Sequence, residues 1–202
     1  MDRIIAKELL SIGAGFLRPE EPFTWASGIK SPIYCDNRLT LSAPSTRDKV
    51  EHGLAELVKT YYPECQMLMG TSTAGIAHAA ITATILGLPM GYVRGESKSR
   101  GRHNRIEGRM DPGTKVVVVE DLISTGGSAI DVVEALREAG AEVLGIVSIF
   151  TYGIKKGLDR IAAAHTENHS LSNLDTLVEV AIEEGYIESK WKDMIIQFRN
   201  SL

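Results

Sequence analysis

Glu120 and Asp121 follow four consecutive valines, Val116–Val119, and precede the run Leu122-Ile123-Ser124-Thr125-Gly126-Gly127-Ser128. Adjacent carboxylates accept hydrogen bonds from hydroxyl groups or hold a metal ion. The small residues behind them let backbone N–H groups close on an anion. The helical run from Ala129 to Ala139 then adds a helix N-terminus, which favours negative charge. Two acids cannot serve that anion, so they are expected to hold hydroxyls or a metal beside it. Phosphate on the loop and a sugar on the acids is the chemistry this spacing implies.

A second small-residue loop, Gly70-Thr71-Ser72-Thr73-Ala74-Gly75, follows the apolar stretch Gln66–Met69. Between the two loops lies a basic segment. Arg94, Lys98, Arg100, Arg102, Arg105 and Arg109 stand there against only Glu96 and Glu107, with His103 as a further source of positive charge. Gly95, Gly101 and Gly108 break any helix, and a loop this long without structure of its own is usually functional or disordered. Leaving the end of a strand on the same rim as both loops, residues 94–112 are expected to form a basic lid. A solvated basic loop is the plainer alternative.

Two other nucleotide-binding patterns share the aliphatic strand. A P-loop ATPase needs G-x-x-x-x-G-K-[ST]. Here Gly70–Gly75 is followed by Ile76 and Ala77, where Lys and Ser/Thr are required. A dinucleotide fold needs G-x-G-x-x-G, which Gly126-Gly127 does not supply. The remaining alternative is a buried strand and a capped helix with two merely solvated acids.

The elements that must position these groups alternate. Strands are expected at Gln66–Met69, Pro89–Val93, Lys115–Val119 and Val143–Phe150, with helices at Ile76–Leu86 and ending near Gly140. That alternation implies an α/β fold with a mostly parallel central sheet, and ligands bind at the carboxyl ends of such strands. Further helices are expected around Leu158–Ala164, Leu174–Glu184 and Lys190–Phe198. Residues 1–64 read as a small N-terminal α+β appendage, and 65–202 as the core. In the appendage, Ile4, Ile5, Leu9 and Ile12 mark a first helix. Phe23–Arg38 reads as two short strands around a turn. A second helix, capped by Ser42 or Ser45, carries Val50, Leu54, Leu57 and Val58 on one face. Met67, Met69, Trp191 and Met194 are expected to be packing residues.

The 202 residues are 44% hydrophobic and 24% charged, an ordinary globular composition. A net charge of −4 does not indicate a nucleic-acid-binding surface. Cys35 and Cys65 form no C-x-x-C pair, so neither a zinc site nor a disulfide framework is expected. The N-terminal sequence lacks a signal-peptide core, and no apolar run is long enough to span a bilayer. The expectation is a cytoplasmic enzyme without a membrane segment.

Val116–Ser128 resembles the phosphoribosyl-diphosphate (PRPP) motif of type I phosphoribosyltransferases. Ser27-Gly28-Ile29-Lys30-Ser31-Pro32-Ile33-Tyr34 and the basic segment resemble the orotate branch of that family. The resemblance runs through Phe23–Arg38, Gly70–His78, Tyr92–Gly108, Glu120–Ser128 and Ser148–Gly153, nearly the whole chain. It implies the type I phosphoribosyltransferase fold, with residues 1–64 as a hood over the base. It further implies Mg²⁺-dependent phosphoribosyl transfer from PRPP to orotate. By that resemblance Glu120 and Asp121 bind the ribose hydroxyls, and Leu122 to Ser128 belong to the PRPP site, where Ser124, Thr125, Gly126, Gly127 and Ser128 cradle the 5′-phosphate. Thr71, Ser72 and Thr73 take the pyrophosphate, and Arg94, Lys98 and Arg100 bind it from the lid. Arg94, Lys98 and Asp121 are the implied catalytic residues; Ser124, Lys30 and Tyr34 are implied to contact orotate. The metal is implied to be held by PRPP rather than by protein ligands. A homodimer is implied, its lid reaching the partner's site. Two positions depart from the pattern: Arg100 stands where the family usually has His, and Ala77 where Pro is common. Arginine binds phosphate but cannot donate a proton near neutral pH, a task left to His103.

Overall fold

The structure, a computed structural model, describes residues 1–24, 30–95 and 105–202. Val116 to Val119 are completely buried and lie on β8 (Lys115–Ile123). Successive strand residues point to opposite faces, and β8 divides its valines accordingly. Val117 and Val119 join the apolar cluster on one side, Val116 and Val118 the cluster on the other. The central sheet has the order β10-β9-β8-β5-β6-β7, with β5 at Met67–Thr71, β6 at Met90–Val93, β7 at Ile106–Glu107, β9 at Glu142–Thr151 and β10 at Asn168–Asn173. All neighbours are parallel except β6 and β7. In the β5–β8 register, Met67 faces Val116 and Gly70 faces Val119, so both strands end on one rim.

Helices α1 (Asp2–Ser11), α2 (Pro44–Tyr61), α3 (Ala74–Leu86) and α6 (Leu174–Glu183) cover the Val117/Val119 face, and α7 (Lys192–Asn200) joins them through Ile195. α4 (Gly127–Glu138) and α5 (Lys155–Ala163) cover the other. Residues 1–64 therefore have no separate core: Ile5, Leu9, Val50 and Leu54 share one cluster with Val117 and Val147. Above that shared core, β1 (Gly15–Leu17) pairs antiparallel with β4 (Ile33–Cys35), and β2 (Phe23–Thr24) with β3 (Lys30–Ser31).

Several local expectations are corrected. In α1 the buried side chains are Ile5, Ala6, Leu9 and Leu10, while Ile4 is exposed. Neither Ser42 nor Ser45 caps α2; Ala43 is the N-cap and Pro44 opens the first turn, where its missing N–H costs nothing. β10 reads Asn-His-Ser-Leu-Ser-Asn and shows no apolar run; Asn168 and Ser170 pair with Ser148 of β9 instead. The Ser148 hydroxyl donates to Asn168 Oδ1 at 3.0 Å and lies 2.7 Å from that of Ser170. Of the helices described, none is long and apolar enough to cross a membrane.

Candidate active site

β8 delivers Glu120 and Asp121 to the rim on opposite faces. Glu120 is buried at 4% exposure. Its Oε1 accepts from the Thr71 hydroxyl at 2.7 Å and from the Asp121 N–H at 2.9 Å, and its Oε2 accepts from the Ser128 hydroxyl at 3.3 Å. One carboxylate thus ties loop 70–75 to the start of α4. Asp121 instead lines a cavity of about 520 Å³ together with Tyr34, Thr73, Leu122, Ser124 and Tyr152.

Burial pushes the Glu120 carboxyl up to about 8, helped by its hydrogen bonding to Asp121 and that residue's charge, against the Thr71 hydroxyl, which lowers it. The folded protein consequently holds the proton that the unfolded chain releases near 4.5. Stability from this group is full below that pH and is lost as pH rises through about 8. Urea unfolding of the ligand-free protein should show a falling midpoint between pH 5 and pH 8.5, and Glu120→Gln should flatten the fall. An equal decline in the variant would assign it elsewhere.

Loop 70–75 lies against β8 so closely that residue 75 must be glycine. A Cβ there would stand 2.3 Å from the Val119 carbonyl oxygen and 2.5 Å from Thr71 Oγ1. The Ser72 hydroxyl donates to the Val93 carbonyl at 2.6 Å, joining the loop to β6. Behind the loop, α3 is tied to α2 by buried polar groups: His78 Nδ1 lies 2.6 Å from Glu51 Oε1, and the Thr82 hydroxyl donates to Glu51 Oε2 at 2.9 Å. The loop from Ser124 to Ser128 turns at Gly126, whose φ of +71° favours glycine, and Gly126 caps α4. Arg160 on α5 donates to the Thr125 carbonyl at 3.1 Å and fixes the loop from outside.

One wall of the cavity comes from the N-terminal segment. Tyr34 is 37% exposed in the cavity, and its ring lies 5.8 Å from that of Phe23. Asn37, fully buried, donates from Nδ2 to the Asp121 carbonyl at 2.7 Å, locking this segment to the end of β8. The Tyr152 hydroxyl accepts from the Cys35 N–H at 3.1 Å.

Of the residues singled out by sequence, the structure brings Tyr34, Thr73, Asp121, Leu122 and Ser124 onto this one cavity. Ser72, Thr125 and Ser128 are exposed on the rim, with Gly126 buried at the turn and Gly127 partly buried. Thr71 spends its hydroxyl on Glu120, and Ile123 packs its side chain into the core. Lys30 is exposed on β3 and does not line the cavity. Arg94 stands where the basic segment leaves β6: its N–H donates to the Arg105 carbonyl at 2.8 Å, and its Nε lies 3.1 Å from Glu107 Oε1. Arg105 returns a hydrogen bond to the Arg94 carbonyl and pairs with Asp131 on α4. Lys98, Arg100 and His103 lie outside the described residues. Cys35, Asp36, Asn37, Arg38 and Tyr152 lie within stretches that carry the family resemblance, but the sequence alone assigns none of them a role in the site. Asp36-Asn37-Arg38 is a polar triplet after a three-residue strand, and only its packing beside Asp121 gives it away.

A phosphoribosyl transferase domain model matches residues 41–178. An orotate phosphoribosyltransferase from Bacillus cytotoxicus is 59% identical over 187 residues, spanning 93% of this chain and 89% of that protein. The chain belongs to the orotate phosphoribosyltransferase family. The likeness extends to three dimensions. The orotate phosphoribosyltransferase of Aeropyrum pernix superposes with a TM-score of 0.78 at 30% identity, over 91% of this chain and 99% of that one. Leishmania donovani UMP synthase superposes with a TM-score of 0.84 at 25% identity, over 99% of this chain and 42% of that one. The six-stranded, mostly parallel sheet flanked by helices is the type I phosphoribosyltransferase fold.

Proposed function

We propose that this family member transfers the phosphoribosyl group of PRPP to orotate, releasing diphosphate and forming orotidine 5′-monophosphate on the route to UMP. The observation that carries the reading is the convergence of two small-residue loops and an acid pair on one rim, beside a cavity walled by Tyr34. In the transfer, the bond from C1 of ribose to the diphosphate oxygen breaks, a bond from C1 to the ring nitrogen of orotate forms, and the nitrogen's proton is released. Asp121, at the cavity wall, holds the ribose hydroxyls, and Glu120 braces the two loops from behind. Loop 124–128 takes the 5′-phosphate and loop 70–75 the diphosphate. Arg94, Lys98 and Arg100 neutralise the departing anion from residues 94–112, which close over the site and keep water from the cationic sugar.

Only Asp121 of the acid pair lines the cavity, and among the described residues no cluster of three or more His, Cys, Asp or Glu side chains is grouped to hold a metal. Asp36 also lines the cavity but is paired with Arg38, so Asp121 is the acid that would face a Mg²⁺ brought in with PRPP. Such an ion supplies charge neutralisation to the leaving diphosphate. Ser124 and Tyr34 contact the base, with Lys30 at the outer edge of the hood. The protein works in the cytoplasm, where Cys35 and Cys65 stay unpaired. Neither nucleic acid nor membrane is a partner.

Loss of orotate absorbance on mixing protein, Mg²⁺, PRPP and orotate tests the reaction directly. Turnover only with a purine or another base would reassign the acceptor, and PRPP binding without turnover of any base would make the protein a regulator. A homodimer with lids exchanged between sites gives a sharper expectation. Lys98→Ala and Asp121→Ala, each inactive alone, should regain activity when co-refolded, because one site per mixed dimer is then intact. Absence of recovery in verified mixed dimers would mean that each subunit works alone.

A further inference from the structure

Orotate differs from uracil by a ring carboxylate, and a cation with free N–H donors is the strongest partner a pocket can offer that group. The following rests on the transfer proposed above and concerns what reads the acceptor. The described side chains lining the cavity include two acids, Asp36 and Asp121, and one cation, Arg38. An incoming carboxylate meets repulsion from Asp121, while Asp36 is paired with Arg38, so Arg38 is the one cation among these described groups able to donate to it.

Its geometry suits the task. Arg38 Nε donates to Asp36 Oδ1 at 2.6 Å and Nη2 to Oδ2 at 2.8 Å, while Asp36 Oδ1 also accepts the Arg38 N–H at 3.3 Å. This clamp fixes the plane of a side chain that is otherwise 62% exposed. It uses Nε and Nη2 and leaves the Nη1 donors for a second anion. The intervening Asn37 is buried and bonded to the Asp121 carbonyl, so the guanidinium is held in register with the sugar-binding acid. Tyr34, four positions earlier, offers a ring to the face of a pyrimidine in the same cavity.

We propose that Arg38 is a specificity-determining residue that binds the carboxylate of the acceptor base, with Asp36 as its positioning residue. The test compares binding of orotidine 5′-monophosphate and uridine 5′-monophosphate, which differ only in that carboxylate and require no turnover. Wild-type protein should prefer the orotidine nucleotide. Arg38→Ala should lower that affinity roughly 10- to 150-fold, the scale of a charged hydrogen bond, with uridine nucleotide and PRPP binding unchanged. Arg38→Lys should recover part of the preference. Asp36→Asn combined with Arg38→Gln should lose it as Arg38→Ala does, which excludes repulsion by an unpaired Asp36 as the cause. A preserved ratio of the two affinities in Arg38→Ala, or equal loss of both nucleotides, overturns the proposal. So does a wild-type protein without the preference. If the preference holds and depends on Arg38 but no orotate is consumed, the transfer reaction falls while the role of Arg38 stands.

Discussion

Replacing Lys98 by alanine is expected to lower kcat for nucleotide formation about 100- to 1,000-fold, ~2.7–4 kcal/mol of transition-state stabilisation, with the melting temperature unmoved. Negative charge builds on the diphosphate as its bond to ribose breaks, and on the assignment proposed above Lys98 meets that charge most strongly in the transition state. The loss should therefore appear equally in kcat and kcat/KM rather than as a raised KM for PRPP alone. Folding should be spared because the two stems of the segment are joined to each other by the Arg94–Arg105 backbone bond and to α4 by the Arg105–Asp131 pair, neither of which involves Lys98. Unchanged turnover in a folded variant would remove Lys98 from the mechanism. A raised KM at constant kcat would make it a ground-state binder.

Gly75→Ala is expected to be the most damaging single methyl group in the site. Its Cβ would meet the Val119 carbonyl at 2.3 Å, and that oxygen belongs to the central strand, which cannot move without disturbing both apolar clusters. Loop 70–75 must then lift away. Stability should fall by about 3 kcal/mol, at the upper end for overpacking. Activity should fall about 100-fold, because a shift on the order of 1 Å in a substrate-positioning group costs that much. Gly185→Ala is the control: its φ is +77° but nothing stands within 4 Å, so only backbone strain of roughly 1–2 kcal/mol is expected and activity should hold. Urea unfolding and steady-state kinetics on both variants decide the matter. A fully active Gly75→Ala enzyme would show that the loop needs no such contact with β8.

The parts of the site legible in the sequence were those with a local signature. Four valines ending in two acids read as a buried central strand, and Ser124–Ser128 carries its turn and helix start in its own composition. What stayed hidden depends on packing between distant segments. That Glu120 turns inward to Thr71 and Ser128 while Asp121 faces the cavity follows from the β5–β8 register, which pairs residues 49 positions apart. Asn37 bonding to Asp121 joins residues 84 apart. β10 was missed because its stabilising partners are serine and asparagine across the sheet, not apolar residues along it.

The same register has a kinetic consequence. Neither small-residue loop is near the other in the chain, and the two are brought to one rim only when β5 closes onto β8, across the described α3, β6 and β7 that intervene. Such parallel, non-local pairing carries its loop-closure entropy before any contact rewards it and forms slowly. With the two loops holding the 5′-phosphate and the diphosphate as proposed above, no partly folded intermediate lacking that pairing can bind PRPP at both ends. Substrate affinity is thus a late reporter of folding, and PRPP, recognising only the completed sheet, draws the chain toward its native state by mass action.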